Sequence, residues 1–459
     1  MAIATPPGRG GLGVIRISGP DAAKIACALA GRTKPLKPRH ATFAKVAIGA
    51  THQRRPDSLG IGGDRHQPLL DQVVLTYFVA PASYTGEDVV EISAHGSPVV
   101  LGSILRAAID AGARLAEPGE FTLRAFLNQK LDLVQAEAVA DLIDAVTPLQ
   151  ARAAFDQLEG TLTTTITAIE KELFDIVAKL EASLDFPEEG YHFVAPKEAG
   201  AAIAGVIARI DLLLAQAGRG RMVREGAAVA IVGAPNVGKS SLFNVLLNAN
   251  RAIVTSIPGT TRDLLTEQAD IGGLSLSLID TAGVRDTTDV VEREGVARAK
   301  AAVGVADLTI VLLDRSRPLG SDDYELLGVT ASRPRVVAWN KIDLPPSLPL
   351  APLDPVEAVA ISATTGAGID RLIAAIGKAL NTGEPLRDRP QITNVRHAVL
   401  LERARESLAR AATALESEVS EEFPLLDLQE AGAALQEITG GKTTDDLLRH
   451  IFERFCIGK

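Results

Sequence analysis

The run Gly233-Ala-Pro-Asn-Val-Gly-Lys-Ser240 has the plainest chemistry in this chain. It fits G-x-x-x-x-G-K-[ST], a loop whose glycines let the backbone wrap phosphates while the following helix aims its amides at them. The candidate contacts are Asn236, Val237, Gly238, Lys239, Ser240 and Ser241. Lys239 would neutralise the β- and γ-phosphates, and the Ser240 hydroxyl would bind Mg²⁺. The bland alternative is a glycine-rich turn before a helix, and further segments weigh against it. Asp280, Thr281, Ala282 and Gly283 follow an apolar run at 274–279. They put a carboxylate near Mg²⁺ and a glycine amide near the γ-phosphate. Asn340, Lys341 and Asp343 follow another apolar run at 336–339. The Asp343 carboxylate can accept from the N1–H and 2-amino group of guanine. Adenine would turn a lone pair toward it, so the base is guanine.

Hydrolysis is less legible. In Ras-like enzymes a Gln directly after D-x-x-G orients the attacking water; here Val284 stands in that place. The loop Thr255, Ser256, Ile257, Pro258, Gly259, Thr260 and Thr261 is rich in hydroxyls and carbonyls. Thr261 is the candidate second Mg²⁺ ligand, sensing the γ-phosphate. Glu292 opens Val291-Glu-Arg-Glu-Gly295, and by spacing alone it reads as a solvated helix charge. Ser362 and Ala363 resemble the GTPase loop whose amides meet the guanine oxygen.

Elements must hold these residues in place. Short apolar runs at 227–232, 274–279, 308–313, 336–339 and 359–361 read as strands buried on both faces of a parallel sheet. A helical run at 242–247 follows the phosphate loop. Ahead of this, the first ~120 residues mix short apolar runs with Gly and Pro, a small α/β domain with strands at 12–17 and 73–78 and a helix at 99–111. From 121 the apolar spacing turns helical, through Leu127, Leu131, Val134, Leu173, Val177, Leu180 and Leu184, with a boundary at Pro148. A helix at 197–217 precedes an expected linker at 218–224. Further helices are expected at 399–414, 425–438 and 445–455. The economical architecture is multidomain, α/β plus α, with an α/β domain inserted into a helical one. Its boundaries are 1–120, 121–221, 222–384 and 385–459.

Composition bounds the partners. The 459 residues carry a net charge of −10, with 46% apolar and 23% charged residues, an ordinary globular balance. Aromatics at 4% leave little for stacking single-stranded nucleic acid, and the acidic excess confines any RNA contact to local basic patches. Cys27 and Cys456 cannot build a disulfide framework. No signal sequence or membrane span is read, so the expected place is the cytoplasm.

The whole pattern resembles the MnmE/TrmE family of tRNA-modification GTPases. The likeness rests on Ala4-Thr-Pro-Pro-Gly-Arg-Gly-Gly11, Tyr84-Thr-Gly-Glu-Asp88, Pro118-Gly-Glu-Phe121, Asn128-Gln-Lys-Leu-Asp132, Asp185-Phe-Pro-Glu-Glu189, the guanine-nucleotide segments and the terminal Phe455-Cys-Ile-Gly-Lys459. The resemblance implies an N-terminal folate-binding and dimerisation domain, a discontinuous helical domain and an inserted Ras-like P-loop GTPase domain. It implies a homodimer that joins a flavin-dependent, NADH-using MnmG/GidA-type partner in a heterotetramer or larger complex. Together they would place an aminomethyl or carboxymethylaminomethyl group on C5 of the tRNA wobble uridine. The methylene would come from 5,10-methylenetetrahydrofolate or 5-formyltetrahydrofolate. Hydrolysis would depend on K⁺, standing where an arginine finger otherwise sits.

By the same resemblance, Asn236, Thr255, Ile257 and Thr260 match the K⁺ ligands, and Glu292 the catalytic glutamate that orients water indirectly. Arg16, Glu91, Lys130 and Lys459 match the folate positions; from residue type alone each is a surface charge. Cys456 matches a C-terminal Cys important for modification, though a lone Cys on a terminal amphipathic helix is ordinarily a small core residue. Ser93-Ala-His95-Gly-Ser-Pro98 departs from the family's His-Gly-Gly-Pro run. An RNA- or ribosome-assembly GTPase switch is the competing reading, and it needs neither the folate residues nor the Cys-Ile-Gly-Lys tail. A self-assembling membrane GTPase is a third; no basic amphipathic face or lipidation signal favours it.

Overall fold

The computed structural model describes residues 1–47, 69–185, 195–249, 266–280, 301–347, 358–380, 392–417, 422–455 and 457–458. They form two compact units, Met1–Ala140 with Gln436–Lys459, and Asp141–Leu435.

The first unit opens with β1 (Ala2–Ile3), β2 (Gly10–Ser18) and α1 (Ala22–Leu29), followed by β3 (Thr42–Ala47), β4 (Leu69–Phe78), β5 (Val89–Gly96) and α2 (Pro98–Asp110). The strands form a five-stranded sheet in the order β1-β2-β5-β4-β3, antiparallel at each pairing. Period-two alternation explains its two faces. Ile15 and Ile17 of β2, Val73 and Leu75 of β4, and Val90 and Ile92 of β5 turn inward onto Ile25 and Leu29 of α1 and Leu101 and Ile104 of α2. Burying each of the fully enclosed Ile and Leu side chains contributes about 1.5–3 kcal/mol relative to exposure. The intervening Val14, Arg16 and Ser18 remain half-buried on the other face, where Arg16 pairs across to Glu91. After α2 come α3 (Glu120–Leu127) and α4 (Leu133–Asp144), whose last turn enters the second unit.

The second unit begins with α5 (Pro148–Leu158), α6 (Thr161–Asp185) and α7 (Pro196–Glu225). Pro148 marks a boundary for the expected reason. It occupies the first turn, where a missing N–H costs nothing, and Thr147 with Gln150 closes a capping box around it. The expected linker at 218–224 is instead the last two turns of the 30-residue α7. Val206, Ile210, Leu213, Gly220 and Val223 are its buried stripe. Gly220 is a contact point rather than a break: a Cβ there would lie 1.7 Å from the Ile392 carbonyl oxygen.

The chain then passes through β6 (Ala227–Val232), α8 (Lys239–Ala249), β7 (Thr266–Ile271), β8 (Leu274–Asp280), β9 (Leu308–Asp314), α9 (Ser321–Val329), β10 (Arg335–Asn340), β11 (Ala358–Ala360) and α10 (Ile369–Ala379). The six strands order as β11-β10-β9-β6-β8-β7, parallel except for the edge strand β7. Val229, Ile231, Leu308, Ile310, Leu312 and Ala338 fill one face with Leu242 and Leu246 of α8. The opposite face holds Ala230, Val232, Val311, Leu313, Val337 and Trp339. The apolar runs thus mark strands covered on both sides, as read. The chain continues through α11 (Val395–Glu416), which packs on α7, and α12 (Glu422–Thr439). Then α13 (Asp445–Phe452) joins the first unit beside α3. No helix among the described residues is long and apolar enough to cross a membrane.

Candidate functional site

The C-terminal ends of β6, β9, β10 and β11 gather the nucleotide segments, the place where open α/β sheets present loops to ligands. Between β6 and α8 the loop turns through Asn236 at φ +60° and Gly238 at φ +100°. Lys239 Nζ bends back to donate to the carbonyls of Gly233 at 3.0 Å and Ala234 at 2.9 Å. Ser240, Ser241 and Asn236 are exposed, while Val237 is fully buried beneath the loop.

Asn340 joins the loops. Its side chain, 2% exposed, donates from Nδ2 to Val237 O at 2.7 Å and accepts through Oδ1 from Ala363 N at 2.9 Å. One amide thereby spans the phosphate loop, the end of β10 and the loop after β11. Gly238 is required by this closeness, because a Cβ would stand 2.4 Å from Asn340 Nδ2. Asp343 accepts from the Ser362 hydroxyl at 2.6 Å, and that hydroxyl also accepts from Thr365 N at 3.1 Å. Ser362, fully buried, therefore aims the carboxylate.

Asp314, at the end of β9, carries a contact the sequence reading passes over. It accepts from Lys341 Nζ at 2.7 Å. Burial pushes the Asp314 carboxyl up, but Lys341 and the two donors of Ser316 outweigh this and hold it below the usual range. A lone Asp after an apolar run carries no signal that would find this role. Backbone pairing sets Asp280 beside Ile231 of β6. The expected roles of the Asp280 side chain, Thr281, Ala282, Gly283, Glu292, the residues Thr255, Ser256, Ile257, Pro258, Gly259, Thr260 and Thr261, and Cys456 and Lys459 fall outside the described residues.

In the first unit, Arg16 donates from Nε at 3.0 Å and from an Nη at 2.8 Å to the same Glu91 oxygen, Oε1. Its guanidinium lies 5.3 Å from the Tyr84 ring centroid and 5.7 Å from that of Phe121, within cation–π range. It also donates to Gly458 O at 3.4 Å, so the tail next to Lys459 meets the same cluster. Ile457 forms a bridge with Pro118. The loop 84–88 lies alongside: Asn128 donates to Thr85 O at 2.7 Å, and the Lys130 stem borders Gly86. The structure thus brings Arg16, Glu91 and the tail together and sets Lys130 against the 84–88 loop.

From Glu87 of the 84–88 loop runs an ion network without an assigned role in the sequence reading. Arg124 contacts Glu87 at 2.7 Å and Glu120 at 2.5 Å, and Arg114 reaches Glu120 as well. Burial raises Glu120, yet Arg114, the Glu117 amide and Arg124 together hold it down at about 2.

A family model described as the GTP-binding protein TrmE N-terminus matches residues 1–130, and one described as the MnmE helical domain matches residues 133–456. The tRNA modification GTPase MnmE of Chloroflexus aurantiacus is 44% identical over 463 residues, covering 100% of this chain and 99% of the relative. The protein of the same description from Aquifex aeolicus is 42% identical over 461 residues, covering 100% and 99%. A crystal structure of an Aquifex aeolicus Era variant bound to GDP.AlF4- is 32% identical and covers 39% of this chain and 66% of that one, with a TM-score of 0.28. Full-length identity of this order, joined to the P-loop site at the strand ends, establishes that this chain belongs to the tRNA modification GTPase MnmE family.

Proposed function

We propose that this chain is a K⁺-dependent GTP-hydrolysing enzyme of the cytoplasm, working as a homodimer with a flavin-dependent MnmG/GidA-type partner in a heterotetramer or larger complex. On this reading it adds a carboxymethylaminomethyl or aminomethyl group to C5 of the wobble uridine of certain tRNAs. The bridging carbon comes from 5,10-methylenetetrahydrofolate or 5-formyltetrahydrofolate. The division at 1–120, 121–221, 222–384 and 385–459 belongs to the same reading, with folate, helical, GTPase and helical roles in turn.

The observation that carries the nucleotide half is the Asn340 amide joining Val237 to Ala363, because it fixes phosphate loop and base-reading loops in one frame. Lys239 leaves the carbonyls of Gly233 and Ala234 for the β- and γ-phosphates, so a self-satisfied loop becomes an anion cradle. Asp343 keeps Oδ1 on Ser362 and presents its other oxygen to the guanine N1–H and 2-amino group. The exposed Ser240 hydroxyl and the Asn236 amide are hard oxygen donors, suited to Mg²⁺ and K⁺ respectively. Thr261 completes the first set, and Thr255, Ile257 and Thr260 the second. When bound, the two cations offset negative charge on the phosphates. Glu292 orients the attacking water indirectly.

Arg16, Glu91, Lys130 and Lys459 hold the folate. Arg16 Nε and one Nη both go to Glu91 Oε1, and Oε2 takes no bond among the described residues. That oxygen matches the N–H and amino edge of a pterin, and the lysines match carboxylates. Cys456 serves the modification step.

The test is nucleoside analysis of tRNA from a deletion strain, complemented by the wild-type gene or by Asp343→Asn. Unmodified wobble uridine is expected in the deletion and the Asp343→Asn strain, with restoration by wild type. Full modification without the gene overturns the reading. Equal hydrolysis rates in K⁺ and Na⁺ overturn the cation role of Asn236.

A further inference from the structure

We propose that Asp314 is a positioning residue for nucleotide binding, acting through Lys341. The inference rests on the guanine-nucleotide reading of the cradle and adds a residue outside its motifs. Asp314 closes β9 with its side chain 5% exposed, and it is saturated from two sides. Oδ1 accepts from Ser316 N at 2.9 Å and Ser316 Oγ at 2.6 Å, which locks the carboxylate's orientation. Oδ2 is left for Lys341 Nζ at 2.7 Å.

Lys341 stands between the two side chains that build the base site, Asn340 and Asp343, with φ +64°. That left-handed conformation crowds the Cβ of any L residue and is rare for a long side chain, so surrounding contacts must hold it. Two backbone bonds help: Arg315 N donates to Asn340 O at 3.0 Å, and Leu344 N to Lys341 O at 3.0 Å. Among the described residues, the ion pair is the side-chain tie from Lys341 to a neighbouring strand. It anchors the base-reading segment to the end of β9, whose own register with β10 pairs Asp314 directly with Asn340.

With the ammonium held, the turn carrying Asn340 and Asp343 is ordered before nucleotide arrives, and binding loses less conformational freedom. Without the negative charge, Lys341 has no charged anchor at this position, and the strained turn can relax. The effect must then fall on how long nucleotide stays rather than on the chemistry at the γ-phosphate. Asp314 remains charged at neutral pH, consistent with a permanent anchor.

The experiment measures dissociation of a fluorescent GDP analogue, GTP KM and kcat, and thermal melting for Asp314→Asn, Lys341→Met and the double variant of the full chain. Asp314→Asn preserves an acceptor for Ser316 while removing the charge. Dissociation and KM are expected to rise about tenfold, with kcat close to wild type, as loss of one charge-assisted hydrogen bond implies. The double variant should dissociate no faster than Lys341→Met alone. A lowered melting temperature with unchanged dissociation overturns the proposal, because Asp314 is then structural only. Losses that multiply in the double variant overturn the route through Lys341. If the wild-type chain itself fails to bind the analogue, the nucleotide reading falls with it; binding by wild type and Asp314→Asn alike removes only the role of Asp314.

Discussion

In the nucleotide cradle of the second unit a neutral amide, Asn340, does the joining, whereas the Arg16 cluster of the first unit is joined by charged pairs. The amide is almost fully buried and holds backbone groups in loops far apart in the chain. The Arg16 and Glu91 side chains remain 15% and 29% exposed, and Arg124 and Glu87 are comparable. Burial makes a hydrogen bond costly to lose and indifferent to salt; exposure leaves an ion pair open to screening and titration. The comparison teaches that one chain can hold two polar sites with different sensitivities, one to packing and one to solution conditions.

Asn340→Ala tests the first half and should have the largest effect. It strands the Val237 carbonyl and the Ala363 amide in a dry interior, a loss of about 2–4 kcal/mol. GDP affinity should fall by about a hundredfold, since the two loops lose their common frame. Denaturant titration and nucleotide binding read both, and the loss should be flat between low and high salt. A salt-dependent loss would break the contrast.

Sequence legibility divides along the same line. The phosphate loop, Asn340, Asp343 and the Ser362–Ala363 pair can be found because each follows an apolar run that must be a buried strand, and local spacing then places it at a strand end. The edge strand β7, Thr266–Ile271, escapes such a reading: with Glu267, Gln268 and Asp270 it lacks a continuous apolar run. Gly218 and Gly220 suggest a linker because glycine usually weakens helices, yet close packing against Ile392 requires one of them inside α7. The Arg16 cluster is assembled by contacts 75 and 442 residues apart, so residue type and spacing offer no clue to it. Family resemblance supplied those positions. Neither route reached Asp314 or the Arg124 network, whose partners are set by the folded backbone.

Acid is the next lever. Glu120 titrates normally at 4.5 and is held at about 2 in the folded chain by Arg114, the Glu117 amide and Arg124 against the penalty of burial. A carboxyl depressed on folding adds stability fully present above its unfolded value and lost as pH falls through the folded one. The window is therefore from about 4.5 down to about 2. After allowance for the exposed Arg114 partner, the contribution is about 2 kcal/mol. Urea titration at pH 7 and pH 3 should show the gap between wild type and Glu120→Gln narrowing in acid. An unchanged gap would mean that the network is screened out in solution.

Arg16→Gln should have the smallest effect on stability. It removes both bonds to Glu91 and the one to Gly458, but these lie where water and ions compete. The expected loss is about 1 kcal/mol at low salt. It should shrink at about 1 M salt, where the screening length is about 3 Å and comparable to the pair separation. Parallel urea titrations of wild type and variant at the two salt concentrations measure the change. If the loss is instead several-fold larger and salt-independent, the guanidinium acts chiefly through its packing on Tyr84 and Phe121. The first unit would then be held, like the nucleotide cradle, by contacts that solution conditions cannot reach.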